Sequence, residues 1–248
     1  MHKPIGSKTM FLKSVDSTNS YLKYELSNNK PEEGFLICTD EQFSGRGQRT
    51  NNWESEAGKN LLVSFVLYPN FLRADKQFAL SKAISLAVYD FILQFTNEAS
   101  IKWPNDIYIG NMKVAGILIE NSLKGAVISS SVIGLGININ QEKFSKNIPN
   151  AISLHTHTGK IYNKSELLIV LTKKLNYWYK QLLSNRIDFI DKQYLSKLFR
   201  YKQTHFFIIE GQKVEAVIMG IAPDGKLIIE IENGIQKSFA FKEIEYFI

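Results

Sequence analysis

The sequence predicts an α+β protein, with a mixed sheet and helices in a large N-terminal part and a small β-barrel at the C terminus. In the N-terminal part, hairpin strands are interspersed with amphipathic helices, which is unlike the regular alternation of a doubly wound parallel sheet. After Tyr201 the pattern changes to short strands separated by turns. These observations divide the chain into residues 1–200 and residues 201–248.

Helices are predicted in four places along the N-terminal part. The first begins near Ser17, whose side chain can cap the free amide groups of the first turn. The second covers residues 77–95, where buried-type apolar residues recur at helical spacing. The third covers residues 163–183 with Asn163 as its N-cap, and residues 186–199 form the fourth.

Strands are predicted where β-branched and apolar residues run between turn signals. The polar stretch at residues 40–59 is too long for a simple turn, which indicates a functional or disordered loop. The turn Gly110-Asn111 joins two strands into a hairpin. The predicted strands are residues 34–39, 60–68, 107–109, 112–120 and 129–139 in the N-terminal part, and residues 206–210, 214–222, 226–231 and 236–241 in the C-terminal part.

The composition limits the possible functions. Thirty basic and 24 acidic residues give a net charge of +6, which suits an anionic ligand or an acidic partner but also an ordinary solvated surface. The basic residues are scattered, so no nucleic acid is expected as a partner. The single cysteine, Cys38, excludes an internal disulfide and is expected to be a buried, inert thiol. Because no signal peptide or membrane-spanning run is visible, we expect a cytoplasmic protein without a membrane partner.

Several familiar catalytic patterns are missing from the sequence. It has no Walker-type phosphate loop, no His-Glu-x-x-His and no Gly-x-Ser-x-Gly. The four histidines lack the spacing of metal ligands, and we expect His155 and His157 to lie in a solvated loop. The candidate chemistry therefore rests on three other segments.

The first segment runs from Gln42 to Arg49. Glycines on both sides of Arg46 let backbone amides and a guanidinium approach one ligand closely. Arginine suits a phosphate or carboxylate because its planar fork donates two parallel hydrogen bonds. The alternative is a flexible surface loop with incidental charge.

The second segment is the run Lys102-Trp103-Pro104-Asn105-Asp106, followed by Lys113 and Gly116. Pro-Asn-Asp is also ordinary turn chemistry. The turn nevertheless groups an amide, a carboxylate and the Lys102 amine at a strand end, with Lys113 on the returning strand of the hairpin. Gly116 within a strand indicates that a ligand or another backbone approaches closely.

The third segment is Gly134-Leu135-Gly136-Ile137-Asn138. It is not a dinucleotide fingerprint, because Ile139 stands in the place of the third glycine. One interpretation is a strand weakened by glycine and interrupted by a bulge. The other is a binding strand whose Asn138 amide donates to and accepts from the edge of a base.

The order and spacing of these segments resemble the biotin–protein ligases. The resemblance covers most of the chain, from about Lys13 to the end, and implies a class II synthetase-like catalytic domain in residues 1–200 and an SH3-like domain in residues 201–248. It also implies the ligase-only form, without an N-terminal DNA-binding domain. The matching segments are Ser17-Thr18-Asn19, Gln42 with Gly45-Arg46-Gly47, Lys102 to Asp106, Lys113 to Glu120, and Gly134-x-Gly-x-Asn138.

The resemblance implies that biotin and ATP form biotinyl-AMP, from which biotin passes to a lysine of a biotin carboxyl carrier protein. Mg²⁺ would accompany ATP, near Asn105 and Asp106. The implied catalytic residues are Lys113, Arg46 and Asp106. The implied biotin contacts are Ser17, Thr18, Asn19, Gln42, Gly45, Arg46, Gly47, Gln48, Lys113 and Gly116, and the implied ATP contacts are Arg46, Arg49, Trp53, Lys102, Asn105, Asp106, Lys113 and Asn138.

Two departures from the family pattern occur in the first segment. Gln48 stands where many relatives carry a second arginine, and Thr50 stands where many carry glycine. Residues 45–53 are the expected lid over the reactive adenylate. Two alternatives stay open: a lipoate or octanoate ligase with the same catalytic fold, and a nucleic-acid-binding module suggested by the isoelectric point of about 9.1 and the small barrel.

Overall fold

A computed structural model describes residues 2–49, 51–146 and 148–247 of the chain. The predicted Thr50 departure lies outside these residues. The helices are α1 (Thr18–Asn28), α2 (Phe78–Ile92), α3 (Leu154–Thr158), α4 (Lys164–Leu183) and α5 (Ile187–Ser196). The strands are β1 (Thr9–Val15), β2 (Leu36–Gln42), β3 (Leu61–Leu67), β4 (Ala99–Lys102), β5 (Asp106–Ile109), β6 (Met112–Lys124), β7 (Val127–Ile137), β8 (Thr204–Ile209), β9 (Gln212–Ile221), β10 (Leu227–Ile231), β11 (Ile235–Phe239) and β12 (Ile244–Tyr246).

The N-terminal part is organised around a seven-stranded mixed sheet in the order β1-β2-β3-β7-β6-β5-β4. Strands β1 and β2 are parallel, and the other neighbouring pairs are antiparallel. The predicted mixed sheet with helices is therefore confirmed. The hairpin through Gly110 and Asn111 joins β5 to β6, as the turn signal predicts.

Helices cover both faces of this sheet. Helix α2 packs with α4 and α5 on one face, and α1 packs against β3 and β7 on the other. Successive side chains of a strand point to opposite faces, so β3 is buried throughout and is apolar at every position except Ser64. Cys38 is buried as expected, and burial raises the pKa of its thiol to about 11, which favours the unreactive protonated form.

The C-terminal part is a five-stranded antiparallel sheet in the order β11-β10-β9-β8-β12. The predicted antiparallel strands are confirmed, while closure into a barrel stays a prediction. This sheet docks on the N-terminal part through Trp103, whose indole Nε1 donates to the Gly225 carbonyl oxygen at 2.9 Å. The Trp103 ring also lies 6.4 Å, centroid to centroid, from the ring of Phe241.

The predicted helices are confirmed, with ends that differ by a few residues. Ser17 caps α1 by accepting from the Ser20 amide, and Asn163 caps α4 by accepting from the Ser165 amide. The expectation of a loop at His155 and His157 is wrong, because both lie in α3. Among the described helices, none has the length and apolar character needed to cross a bilayer. Elements that the sequence did not predict are β1, β4, β12 and α3.

Candidate active site

A cavity of about 450 Å³ lies on the face of the mixed sheet that also carries α1. Paired residues of adjacent antiparallel strands point to the same face. Ser64 pairs with Gly134, and Gly116 pairs with both Gly136 and Asp106, so these positions share one face across β3, β7, β6 and β5. The sheet register therefore brings together segments that lie far apart in sequence.

Most of the predicted site residues line this one cavity. They come from the start of α1, the end of β2, the loop after it, and the β5–β6 hairpin. The predicted residues in the cavity wall are Ser17, Thr18, Asn19, Gln42, Arg46, Gly47, Gln48, Trp53, Asn105, Asp106, Lys113 and Gly116.

Two cations in the cavity wall are each paired with a carboxylate. The Lys113 amine lies 2.7 Å from Asp106 Oδ1, and a nitrogen of the Arg46 guanidinium lies 3.1 Å from Glu120 Oε1. The Lys113–Asp106 contact is an ion pair without hydrogen-bond geometry, because Asp106 Oδ1 has no hydrogen-bond partner in the described part of the chain. An anion that enters the cavity meets both cations and competes with both carboxylates.

A chain of hydrogen bonds orients the polar side chains at the start of α1. Gln42 Oε1 accepts from both the amide and the hydroxyl of Thr18, at 2.8 and 2.9 Å. The fully buried Ser64 hydroxyl lies 2.7 Å from Thr18 Oγ1 and 2.6 Å from Asn19 Oδ1. The single Ser64 hydroxyl hydrogen can serve only one of these two oxygens, so the group presents both donors and acceptors, which suits a small polar heterocycle at this end of the cavity.

Glycines make the sheet surface beside the cavity flat. A Cβ atom at Gly136 would overlap the Trp53 ring, and one at Gly116 would lie 2.9 Å from the same ring. A Cβ atom at Gly134 would overlap the Asn19 amide. The sequence predicts that a ligand or another backbone approaches Gly116, whereas here the Trp53 side chain makes the close approach. The strand runs through Gly134 and Gly136 without the bulge considered from the sequence.

Four predicted site residues are not in the described wall of the cavity: Gly45, Arg49, Lys102 and Asn138. The Arg49 guanidinium lies 5.7 Å from the Phe241 ring centroid. The Asn138 side chain is buried and donates to the Ile152 carbonyl oxygen at 3.1 Å. A Cβ atom at Gly45 would overlap the Trp53 carbonyl oxygen, so this glycine allows two backbone segments of the loop to pack against each other.

Lys102 lies between two tyrosine rings. Its amine is 5.0 Å from the centroid of Tyr108, which lines the cavity, and 4.8 Å from that of Tyr246 in the C-terminal sheet. Burial lowers the pKa of Lys102, opposed by the nearby Asp106 carboxylate. The amine therefore contacts a wall residue and the C-terminal sheet rather than the cavity itself.

Further wall residues had no predicted role. Tyr108 accepts a hydrogen bond from Asn150 at 3.1 Å, and burial raises the pKa of its hydroxyl. Phe241 brings the C-terminal part to the edge of the cavity. Ser64 carried a usable signal, since it is the single polar residue in a buried apolar strand.

The wall offers a modest set of oxygen ligands for a cation bound with phosphates. The described residues contain no cluster of three or more histidine, cysteine or carboxylate side chains that could hold a metal by themselves. Asp106 provides one carboxylate with an oxygen that lacks a hydrogen bond, and Asn105 lies beside it. Such a set fits Mg²⁺, which often binds one or two carboxylates and takes its other ligands from phosphates and water.

Comparison with known proteins identifies the family. The sequence model of the Biotin/lipoate A/B protein ligase family matches residues 11–138, which is more than half of the chain. The chain belongs to this family. Among relatives of this ligase-family chain, the biotin–[acetyl-CoA-carboxylase] ligase of Paracoccus denitrificans is 30% identical over 81% of the chain and 85% of the relative. The bifunctional ligase/repressor BirA of Bacillus spizizenii is 27% identical over 93% of the chain and 72% of the relative.

Solved structures of ligase-family members share the fold. The biotin protein ligase of Aquifex aeolicus in complex with biotin and ATP has a TM-score of 0.79 and 27% identity, covering 96% of this chain and 98% of that one. The biotin protein ligase of Leishmania major in complex with biotinyl-5-AMP has a TM-score of 0.60 at 20% identity, which is a likeness of fold. The likeness to the first structure extends over nearly the whole chain, including the C-terminal sheet.

Proposed function

We propose that this ligase-family chain is an ATP-dependent biotin–protein ligase that forms biotinyl-5′-AMP and transfers biotin to a lysine of a biotin carboxyl carrier protein. The observation that carries the proposal is one cavity that holds Arg46, Lys113 and the hydrogen-bonded side chains at the start of α1. A similar structure binds biotin and ATP together.

The first step joins two anions. An oxygen of the biotin carboxylate attacks the α-phosphorus of ATP, the bond to the bridging oxygen breaks, and pyrophosphate leaves. Two like unit charges 4 Å apart repel by about 1 kcal/mol in water and by about 4 kcal/mol at an effective dielectric constant of 20. Arg46 and Lys113 offset this repulsion because their charges are in place before the reactants arrive.

The residues of the cavity wall suggest which part of the cavity each substrate occupies. The ureido ring of biotin takes the polar end formed by Ser17, Thr18, Asn19 and Gln42, whose hydrogen bonds are already oriented. Its carboxylate then points toward Lys113, which Asp106 holds in position. Of the remaining implied biotin contacts, Arg46, Gly47, Gln48 and Gly116 lie in the same wall, and Gly45 lies outside it.

The nucleotide takes the rest of the cavity. Trp53 covers the adenine, Asn105 and Lys113 donate to the phosphates, and Asp106 orients Lys113. Bound Mg²⁺ would be held by Asp106 with Asn105 and would neutralise phosphate charge. Arg49, Lys102 and Asn138 act from outside the described wall: Lys102 through the Tyr108 ring, Arg49 through Phe241, and Asn138 by supporting the end of β7.

Shielding and transfer complete the reaction. Biotinyl-AMP is a mixed anhydride that water hydrolyses, so residues 45–53 act as a lid that limits solvent access. The amine of the acceptor lysine then attacks the acyl carbon, and AMP leaves with the bonding electron pair. No nucleophilic protein side chain is required, because both nucleophiles belong to substrates.

The same proposal covers the wider organisation of the protein. Residues 1–200 form the class II synthetase-like catalytic domain, and residues 201–248 form an SH3-like barrel whose Phe241 borders the cavity. The protein acts in the cytoplasm, where its carrier and ATP occur. It does not require nucleic acid as a partner.

Mass spectrometry of an acceptor domain tests this function. The domain is incubated with the protein, biotin and Mg-ATP, and the expected result is the mass of one biotinyl group on a lysine. Because the family also contains lipoate ligases, a parallel reaction receives equal biotin and lipoate. Modification by lipoate alone would replace the proposed substrate, and an unmodified acceptor with no ATP turnover would refute the ligase function.

A further inference from the structure

Glu120, next to the cavity on β6, accepts contacts from three side chains. Its Oε1 lies 3.0 Å from the Lys23 amine and 3.1 Å from an Arg46 nitrogen. Its Oε2 accepts from the Asn19 amide at 3.0 Å and from the other Arg46 nitrogen at 3.4 Å. Both oxygens of the carboxylate are therefore shared between a cation of the lid segment and residues of α1.

The position of Glu120 differs from that of Arg46 in one respect. Arg46 lines the cavity, and its side chain is 41% exposed, while the Glu120 side chain is 21% exposed and lies outside the described cavity wall. The guanidinium is thus the more exposed partner and borders the cavity, while the carboxylate is the more buried one and is held by Lys23 and Asn19 as well. An anion in the cavity can draw the guanidinium away, because an arginine that gains a phosphate keeps a charge-assisted bidentate contact.

Glu120 also connects the two ends of the site. The Asn19 amide that donates to Glu120 carries the oxygen that lies 2.6 Å from the Ser64 hydroxyl, and that hydroxyl lies 2.7 Å from Thr18. One carboxylate therefore anchors the start of α1 and the arginine of the following loop.

We infer that Glu120 is a positioning residue that occupies the Arg46 guanidinium in the empty cavity and yields it to the phosphate of the incoming nucleotide. This inference rests on the proposed function, since it takes the phosphate as the ligand of Arg46. If the role of Glu120 were purely structural, its removal would destabilise the protein but would not increase the affinity of the cavity for anions. Removing Glu120 therefore distinguishes the two roles by the sign of its effect.

The test measures the affinity of inorganic pyrophosphate for the full chain without biotin, by isothermal titration calorimetry. In Glu120→Gln the amide oxygen still accepts from Asn19 while the charge that holds Arg46 is lost. We expect pyrophosphate to bind about 1.5- to 5-fold more tightly, the factor that corresponds to a partly exposed ion pair. Unchanged or weaker binding by a folded variant would overturn the inference.

A double-mutant cycle separates the Arg46 contact from a general charge effect. In the Arg46→Gln background, Glu120→Gln should change pyrophosphate affinity by less than about 1.5-fold, because the cation that it releases is gone. An equal gain in both backgrounds would show that the carboxylate acts through its long-range field, which contradicts the inference. Glu25→Gln on the exposed side of α1 removes the same charge without touching Arg46 and serves as the matched control.

Tryptic cleavage provides a readout that does not depend on ligand. Without ligand, cleavage after Arg46 should be faster in Glu120→Gln than in Glu25→Gln, as quantified by mass spectrometry of the new termini. Equal rates would refute the claim that Glu120 holds Arg46. If the wild-type chain binds neither biotin nor pyrophosphate, the proposed function fails, and this comparison still decides whether the carboxylate holds the arginine.

Discussion

Replacing Lys113 with alanine tests the electrostatic account of adenylate formation. Lys113 lines the cavity, and its amine is 2.7 Å from Asp106. In Lys113→Ala the positive charge is lost and the Asp106 carboxylate loses its counter-ion. The reacting carboxylate and phosphate then lack the positive charge of Lys113 and lie near the unpaired negative charge of Asp106.

The size of the effect follows from the position of the amine. Removing one pre-placed group that stabilises charge in a transition state costs about 2.7–4 kcal/mol, which is about 10²- to 10³-fold in rate. The effect on folding should be much smaller, because the Lys113 side chain is 31% exposed and an ion pair near the surface contributes about 0–1 kcal/mol. Loss of activity and loss of stability are therefore separable.

The assay is biotin-dependent exchange of labelled pyrophosphate into ATP, with thermal unfolding followed by circular dichroism. We expect exchange to fall by at least about 100-fold in Lys113→Ala while the unfolding transition moves little. Lys23→Ala is the matched control, since this amine contacts Glu120 but is not part of the described cavity wall, and exchange should stay within a few-fold of wild type. Full exchange by folded Lys113→Ala would refute the role of the lysine.

Four other predictions concern the loop, the glycine surface and the titration of Glu120. Arg46→Gly should still make adenylate but release it into solution, which chromatography of the filtrate detects; a variant that makes adenylate and retains all of it contradicts the lid. Trypsin should cut near Arg46 or Arg49 without ligand and more slowly with biotin and ATP, whereas equal rates count against closure. In Gly136→Ala the added methyl group overlaps the Trp53 ring and should displace the indole. Calorimetry should then show biotinyl-AMP binding weakened at least about 10-fold, and an unchanged affinity would show that the position of the indole does not matter. Partial burial alone would raise the pKa of Glu120, but the hydrogen bonds from Lys23 and Asn19 and the Arg46 charge together outweigh it and lower the pKa from its usual 4.5. The stabilisation by this carboxylate is therefore present above pH 4.5 and is lost as the pH falls through the lowered value. Denaturant titrations of wild type and Glu120→Gln should converge in acid, and a difference that grows in acid contradicts this.

The sequence predicted the N-terminal helices and most strands because their apolar spacing and caps are local signals. It missed β1 and β4, since β1 is an edge strand with several exposed positions and β4 has four residues. It also missed α3, where Ser153 and Thr156 form a capping box with threonine in the place of the usual glutamate or glutamine. Short or half-exposed elements leave little periodic pattern to detect.

The candidate site is predictable from the sequence where the interacting side chains lie close together along the chain. Asp106 and Lys113 lie on one hairpin, so their proximity follows from the turn between them. The contacts of Lys102 with Tyr246 and of Trp103 with Gly225 depend on docking of the distant C-terminal sheet, for which the local sequence carries no signal. The resemblance implies an ATP contact for Lys102, whereas its amine lies between the rings of Tyr108 and Tyr246.

Glu120 shows a different limit of sequence reasoning. It lies in a segment that matches the family pattern, but no role follows from the sequence, because its partners come from α1 and from the loop after β2. The register of seven strands is needed before these three segments are seen to meet. Position along a strand predicts which face a carboxylate occupies, but not which cations reach it.

Native mass spectrometry of the protein after incubation with biotin and Mg-ATP tests the central claim most directly. If Arg46 and Lys113 bring the biotin carboxylate and ATP together in one cavity, the protein should gain the mass of one biotinyl-AMP, and pyrophosphate should appear in solution. Substitution of either cation should reduce this species. A wild-type protein that binds biotin and ATP side by side without forming the adenylate would contradict the account.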